Sequence, residues 1–201
     1  MYSRSSTIAG CLFVALSVAC AQNTSSPNAQ IPKSNSVANN IYRNTTHGFS
    51  YKTPYGWVER TQAMQGDAGS SSSHVLLAAF ERPPEATGET INSGVVIAEE
   101  SLAAYPKVKT ALDYFEPLTE AVTSQGLKVV NGPHPFAIGN RELIRGDFSK
   151  PRGKLTMYQS SLVLMRKGAI LSFTFVGGSV VEVDELIENL SFAPLSTSPH
   201  H

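Results

Sequence analysis

Cysteine is nearly missing from this chain: its 201 residues include two, Cys11 and Cys20, both among the first twenty positions. Beyond residue 20 there is no thiol, so the body of the protein holds neither a disulfide nor a thiolate metal site, and its core must rest on packing alone. Charge is sparse as well. Charged residues make up 16%, and Lys plus Arg balances Asp plus Glu at 16 each, giving a net charge of zero. Phosphate binding rests on a clear cationic excess, so nucleic acid or a strongly anionic surface is excluded as the main partner, which leaves protein or a small molecule. The sequence also lacks a G-x-S-x-G elbow, an H-E-x-x-H helix, a phosphate-binding loop and any H-x-x-x-H pair. What remains, at 41% hydrophobic, is enough apolar material for one globular core.

Long apolar runs are absent, with one short exception near the start. MYSR carries a positive charge and no acid, and IAGCLFVALSVA follows it and ends in small residues, the layout of a secretory signal peptide over residues 1–21. At about 12 residues the run is too short to span a bilayer, which takes about 20. Two readings of its end stay open. Ala19-Cys20-Ala21 fits the A-x-A rule, with cleavage before Gln22 and release of a soluble exported protein. Alternatively residues 16–20, LSVAC, resemble a bacterial lipobox in which Cys20 is lipidated and becomes the first residue, although Ser17 stands where that motif usually has Leu. Either way the expected location is outside the cytoplasm, in the periplasm or anchored in a bacterial cell envelope.

Residues 22–40, QNTSSPNAQIPKSNSVANN, contain almost no large apolar side chains. Such a segment buries too little surface to offset its ordering entropy and reads as a flexible tether. The domain proper is expected over residues 41–194, with a polar tail at 195–201.

Within it, period-2 segments come first. Phe49 and Tyr51 alternate with Ser50 and Lys52, a Thr53-Pro54-Tyr55-Gly56 turn leads to Trp57-Val58, and strands follow at 74–82 and 93–101. The period then becomes helical: Val108, Ala111, Leu112, Phe115, Leu118 and Val122 form an apolar stripe, Pro117 is expected to kink or divide the helix, and Gly126 stops it. Strands return as LKVVNG, NRELIRGDFS, KLTMYQSSLVLM and AILSFTFVG. In the last, Leu171, Phe173 and Phe175 alternate with Ser172 and Thr174, as on a half-buried antiparallel strand. A closing helix over about 179–189 buries Val183, Leu186, Ile187 and Leu190 along one stripe, with its acids facing water. Antiparallel strands with two interspersed helices predict an α+β layered fold.

The order of these parts, an opening G-F-S-Y-x-x-P-x-G-W at 48–57, a middle helix, a long hairpin YQSSLVLMRKGAILSFTF and a last helix ending on Ser191-Phe192, resembles the PsbP-like domain. That fold is shared by the extrinsic lumenal subunit of photosystem II, a Ran-binding import factor of yeast and many bacterial lipoproteins of unknown role. The resemblance covers roughly residues 41–194 and implies an antiparallel sheet sandwiched by helices (α/β/α). It also implies binding rather than chemistry, without naming a partner. By the same likeness Phe49, Tyr51 and Trp57 are core anchors, and Trp57→Ala is expected to cost about 3 to 5 kcal/mol.

Two site readings complete the sequence picture. Arg141, Arg145, Lys150, Arg152 and Lys154 form the candidate partner-binding patch: Arg141, Arg145 and Asp147 fall on one side of a strand, opposite Ile144 and Phe148, and KPRGK makes the following loop cationic. The competing reading is a solvated face. An enzymatic reading would need His47, His74 and Asp147 to converge, and isolated surface histidines explain those residues more simply. The expectation is a non-enzymatic, monomeric envelope interaction module without cofactor or metal, whose partner is a protein and not a nucleic acid. The alternative is a carrier of a small hydrophobic ligand in a cavity lined by Phe115, Leu118 or Phe175.

Overall fold

The computed structural model describes residues 35–38, 40–67, 73–83, 85–86 and 88–193. Cys20, the leader, most of the tether and the tail lie outside the described residues. In chain order the elements are β1 (Asn35–Ala38), β2 (Ile41–Asn44), β3 (Phe49–Lys52), β4 (Val58–Glu59), α1 (Thr61–Asp67), β5 (Ser73–Phe80), β6 (Gly94–Ser101), a 3-10 turn (Leu102–Ala104), α2 (Ala111–Ser124), β7 (Lys128–Ile138), β8 (Arg141–Arg152), β9 (Leu155–Arg166), β10 (Ala169–Gly177), α3 (Val180–Glu188) and β11 (Leu190–Phe192). They build two antiparallel sheets, a large one in the order β4-β5-β6-β10-β9-β8-β7 and a small one in the order β1-β2-β3-β11.

Alternation along the central strands sends side chains to two cores. On β10, Leu171, Phe173 and Phe175 point to one face, where they meet Tyr42, Phe49 and Tyr51 of the small sheet and Val183, Leu186 and Ile187 of α3. Ile170 points to the other, with Val163 and Met157 of β9, under Tyr114, Phe115, Leu118 and Val122 of α2. The large sheet thus has a helix on each face, and the small sheet shares the α3 side, giving the α+β arrangement expected. Phe49 and Tyr51 are deep in the first core; Phe49 meets Phe173 edge to face at 5.2 Å.

The α2 face is closed by a specific contact. A Cβ at Gly146 would lie 2.6 Å from Cε1 of Phe115, so the ring rests directly on the β8 backbone, an approach only glycine permits. The helix starts at a reciprocal capping box in which Thr110 and Asp113 each accept from the other's backbone N–H.

Several sequence expectations change here. Helix α2 is not divided at Pro117, because Tyr114 and Phe115 before it and Leu118 and Val122 after it are buried on the same sheet. Its apolar stripe is rotated from the expected one: Leu112 is 51% exposed and Tyr114 is buried, while Val108 precedes the helix. Strand β7 continues through Pro133 and Pro135, where a break was expected. It is the edge strand, where a missing N–H leaves no ladder bond unmade, and its pairing with β8 shifts register at two points. Residues Lys150, Pro151 and Arg152 belong to β8, paired with Met157, Thr156 and Leu155, so the cationic segment is mostly strand and not loop. Strand β1 falls within the segment expected as tether, because it pairs along β2. Trp57 is only half-buried, packed on the rim of the first core; the positive φ of Gly56, 83°, turns the chain so that the indole lies at an edge.

Candidate functional site

The five cations expected to form one patch have different fates. Arg145 is buried, 8% exposed, and is the centre of a polar network instead of part of a free surface. Lys150 donates through Nζ to the carbonyl of Gln125, at the C-terminal end of α2, which satisfies an otherwise orphaned helix-end acceptor. Arg141 is half-buried, and Arg152 and Lys154 are exposed. Tertiary packing against acids and helix ends has therefore taken Arg145 and Lys150 out of the patch.

The Arg145 network sits between the β7 edge of the large sheet and α3. Arg145 Nε donates to Asp147 Oδ1 at 2.8 Å, and Nη2 donates to Ser160 Oγ at 3.1 Å and to Asp184 Oδ1 at 2.7 Å. Ser160 in turn donates to Asp147 Oδ1, and Asn131 Nδ2 donates to Asp147 Oδ2 at 3.0 Å. The guanidinium also lies over the Phe136 ring, 5.0 Å from its centroid. Local geometry makes this arrangement cheap: Arg145 and Asp147 are two residues apart on one strand face, and antiparallel register sets Asp147 opposite both Ser160 and Asn131. Only Asp184 arrives from a distant element, α3.

Burial alone would raise the Asp147 pKa, but hydrogen bonds from Ser160, Asn131 and Arg145 outweigh it and hold the carboxyl below the usual range. For Arg145 burial would favour loss of the proton, and the bonds to Asp147 and Asp184 overcome it, so its pKa rises. The network is locked in its charged form.

Beside it is a cavity of about 280 Å³, whose lining includes Val130, His134, Arg145, Tyr158, Val180 and Asp184. His134 lies in β7 across from Arg145. Its Nδ1 is 2.9 Å from the carbonyl oxygen of Gly132.

The structure does not bring His47, His74 and Asp147 together. Asp147 is engaged as above. His47 is 2% exposed, not a surface histidine; its Nε2 is 3.2 Å from Glu99 Oε1 but out of hydrogen-bond alignment. His74 is opposite Glu99 across the β5–β6 pair, and its Nδ1 is 2.7 Å from Gln65 Oε1. The proposed ligand-cavity residues are also separated: Phe115 and Leu118 pack in the α2 core and Phe175 in the core on the opposite face. Among the described residues no group of three or more His, Cys, Asp or Glu side chains is placed to hold a metal ion, and no helix is long and apolar enough to cross a membrane.

Sequence reasoning missed Ser160, Asp184, Asn131 and His134 as members of this site. The Arg145-x-Asp147 spacing was the available signal, since an i, i+2 pair of opposite charges shares one face of a strand.

No protein-family model matches the chain, and no curated protein matches it in sequence. Solved structures do. The cyanobacterial PsbP protein (CyanoP) of Synechocystis sp. PCC 6803 aligns over 84% of this chain and 98% of its own at a TM-score of 0.50 and 15% identity. LpqN, described as involved in cell envelope biogenesis of Mycobacterium tuberculosis, aligns over 73% of this chain and 83% of its own at 0.43 and 11%. A protein of unknown function from Pseudomonas aeruginosa, PA94, aligns over 77% and 97% at 0.40 and 15%. At these identities the likeness concerns the fold, which is PsbP-like.

Proposed function

We propose that this chain, a PsbP-like domain by fold, is an exported accessory protein of the cell envelope that works by binding another protein and catalyses no reaction. The observation that carries this reading is the cleft between the β7 edge and α3, where a hydrogen-bonded network centred on buried Arg145 underlies a cavity with exposed apolar lips, Val130 and Val180 each being 49% exposed. A surface of that kind is built for contact. Two of the groups that could do chemistry there are already committed: the Ser160 hydroxyl donates to Asp147, a weak base because its pKa is held low, and Asp147 accepts from three donors. Export rests on the leader, and the route to the membrane is lipidation of Cys20.

The test is native mass spectrometry on the full chain purified gently from its own membrane fraction. A diacylglycerol-type mass on Cys20 together with a stoichiometric protein partner is expected. A chain beginning at Gln22 and carrying a small apolar ligand would overturn the reading in favour of a soluble carrier.

A further inference from the structure

The cleft has an unequal supply of hydrogen-bonding groups. Several of its donors are turned inward: Arg145 Nε and Nη2, Asn131 Nδ2 and the Ser160 hydroxyl serve Asp147, Asp184 or one another. Acceptors are left over. Asp184 uses only Oδ1 toward Arg145, and its side chain is 48% exposed. A backbone carbonyl can only accept, so the His134 contact with Gly132 places the proton on Nδ1, and in the uncharged ring Nε2 is then a lone-pair acceptor. One guanidinium against two carboxylates leaves the network net negative.

On this basis, and resting on the accessory reading above, we infer that the cleft receives a lysine or arginine side chain presented by an extended segment of a protein partner, with Asp184 and His134 accepting from its cationic head. The shape fits that occupant. A cavity of about 280 Å³ is at or below the lower end of small-molecule sites, roughly 300 Å³ and upward, but holds one long side chain whose methylene stem lies along the Val130 and Val180 lips. Exposed Val181, adjacent to Val180 on α3 and 66% exposed, extends the apolar contact to a residue beside the basic one. Charge complementarity supplies specificity, because an acidic or apolar side chain in the same place would leave Asp184 either repelled or unpaired.

The probes are the capped peptides Val-Lys-Val and Val-Arg-Val, with norleucine and glutamate peptides and free n-butylamine as controls, titrated into isotope-labelled full-length chain and read by NMR shifts of the Val130 and Val180 methyls. Saturable shifts are expected from the lysine or arginine peptide and at least fivefold weaker binding from norleucine. Asp184→Asn, which retains an acceptor for Arg145 and so the fold, is expected to weaken binding at least fivefold, and Asp184→Glu to restore part of it. Equal binding of the norleucine peptide, no saturable shift from any peptide, or butylamine binding as tightly as the peptides would each overturn the inference, the last in favour of a small amine. The two readings fail separately: a native complex that survives Asp184→Asn unchanged removes this cleft as the contact while leaving the accessory role, and the absence of any complex in the native chain removes both.

Discussion

The two faces of the large sheet solve the same problem, a buried carboxylate, in opposite ways. Under α2, Glu100 is 3% exposed and its partners are phenols: Tyr114 donates at 2.7 Å and Tyr105 donates to the other oxygen. Under α3, Asp147 is matched by a guanidinium, a hydroxyl and an amide. Burial therefore dominates at Glu100 and raises its pKa despite the two hydroxyls, whereas bonding dominates at Asp147 and lowers it. The α2 face is tightly sealed, with Phe115 resting on the backbone at Gly146. The α3 face stays open enough to keep a cavity. One side of the sheet is thus closed by packing, and the other keeps an open cleft.

Breaking the sealed face should cost most. Phe115→Ala removes a side chain that is 2% exposed in the centre of the α2 core and is expected to lose about 3 to 5 kcal/mol in urea unfolding. Trp57→Ala on the open side's rim should lose only about 1 to 2 kcal/mol, since half-burial gives a fraction of the full transfer term. That is less than the sequence alone suggested, and equal losses at the two sites would erase the distinction between core and rim.

Within the open face, the network should be graded by burial. Arg145→Met strands Asp147, whose side chain is 14% exposed, and is expected to cost about 2 to 3 kcal/mol. Asp184→Asn touches a half-exposed, solvent-screened partner and should cost less than about 1 kcal/mol. A reversed order in denaturant titrations would mean that α3 docking, not Asp147, depends on the guanidinium.

Smaller but more diagnostic is the pH dependence, because the two carboxylates have opposite signs. The Asp147 pKa is lowered, so its contribution is present above the unfolded value of about 3.9 and is lost as pH falls through its folded value below that. The Glu100 pKa is raised, so its contribution is full below about 4.3 and is lost as pH rises through its higher folded value. Glu100→Gln, whose amide oxygen accepts from one tyrosine while its N–H donates to the hydroxyl oxygen of the other, should therefore raise the melting temperature at pH 7 relative to the native chain and lose that advantage near pH 4. An advantage independent of pH would show that Glu100 does not titrate differently in the two states.

Most of the fold was legible because its signals are local. The alternation of Leu171, Phe173 and Phe175 reports a strand with one face in the first core, and Val183, Leu186 and Ile187 report the buried stripe of α3. The sheet side of the site was half legible, since Arg145 and Asp147 share a face by strand geometry alone. Misreadings arose where context outweighs local pattern. Pro133 and Pro135 look like a break unless the strand is known to be at an edge, and Leu112 looks like core until Tyr114 is seen to turn inward to Glu100.

The sequence by itself determined the thiol-free body of the chain and the alternation of strand and helix, because each depends on residues close together in the chain. Which of five cations is buried was decided only in the tertiary structure. Arg145 is distinguished from Arg141, Arg152 and Lys154 by Asp184, 39 positions away on α3, and by Ser160 on the next strand. Those partners meet it because antiparallel register and helix docking set them there, and neither can be read from the spacing of charges along the chain.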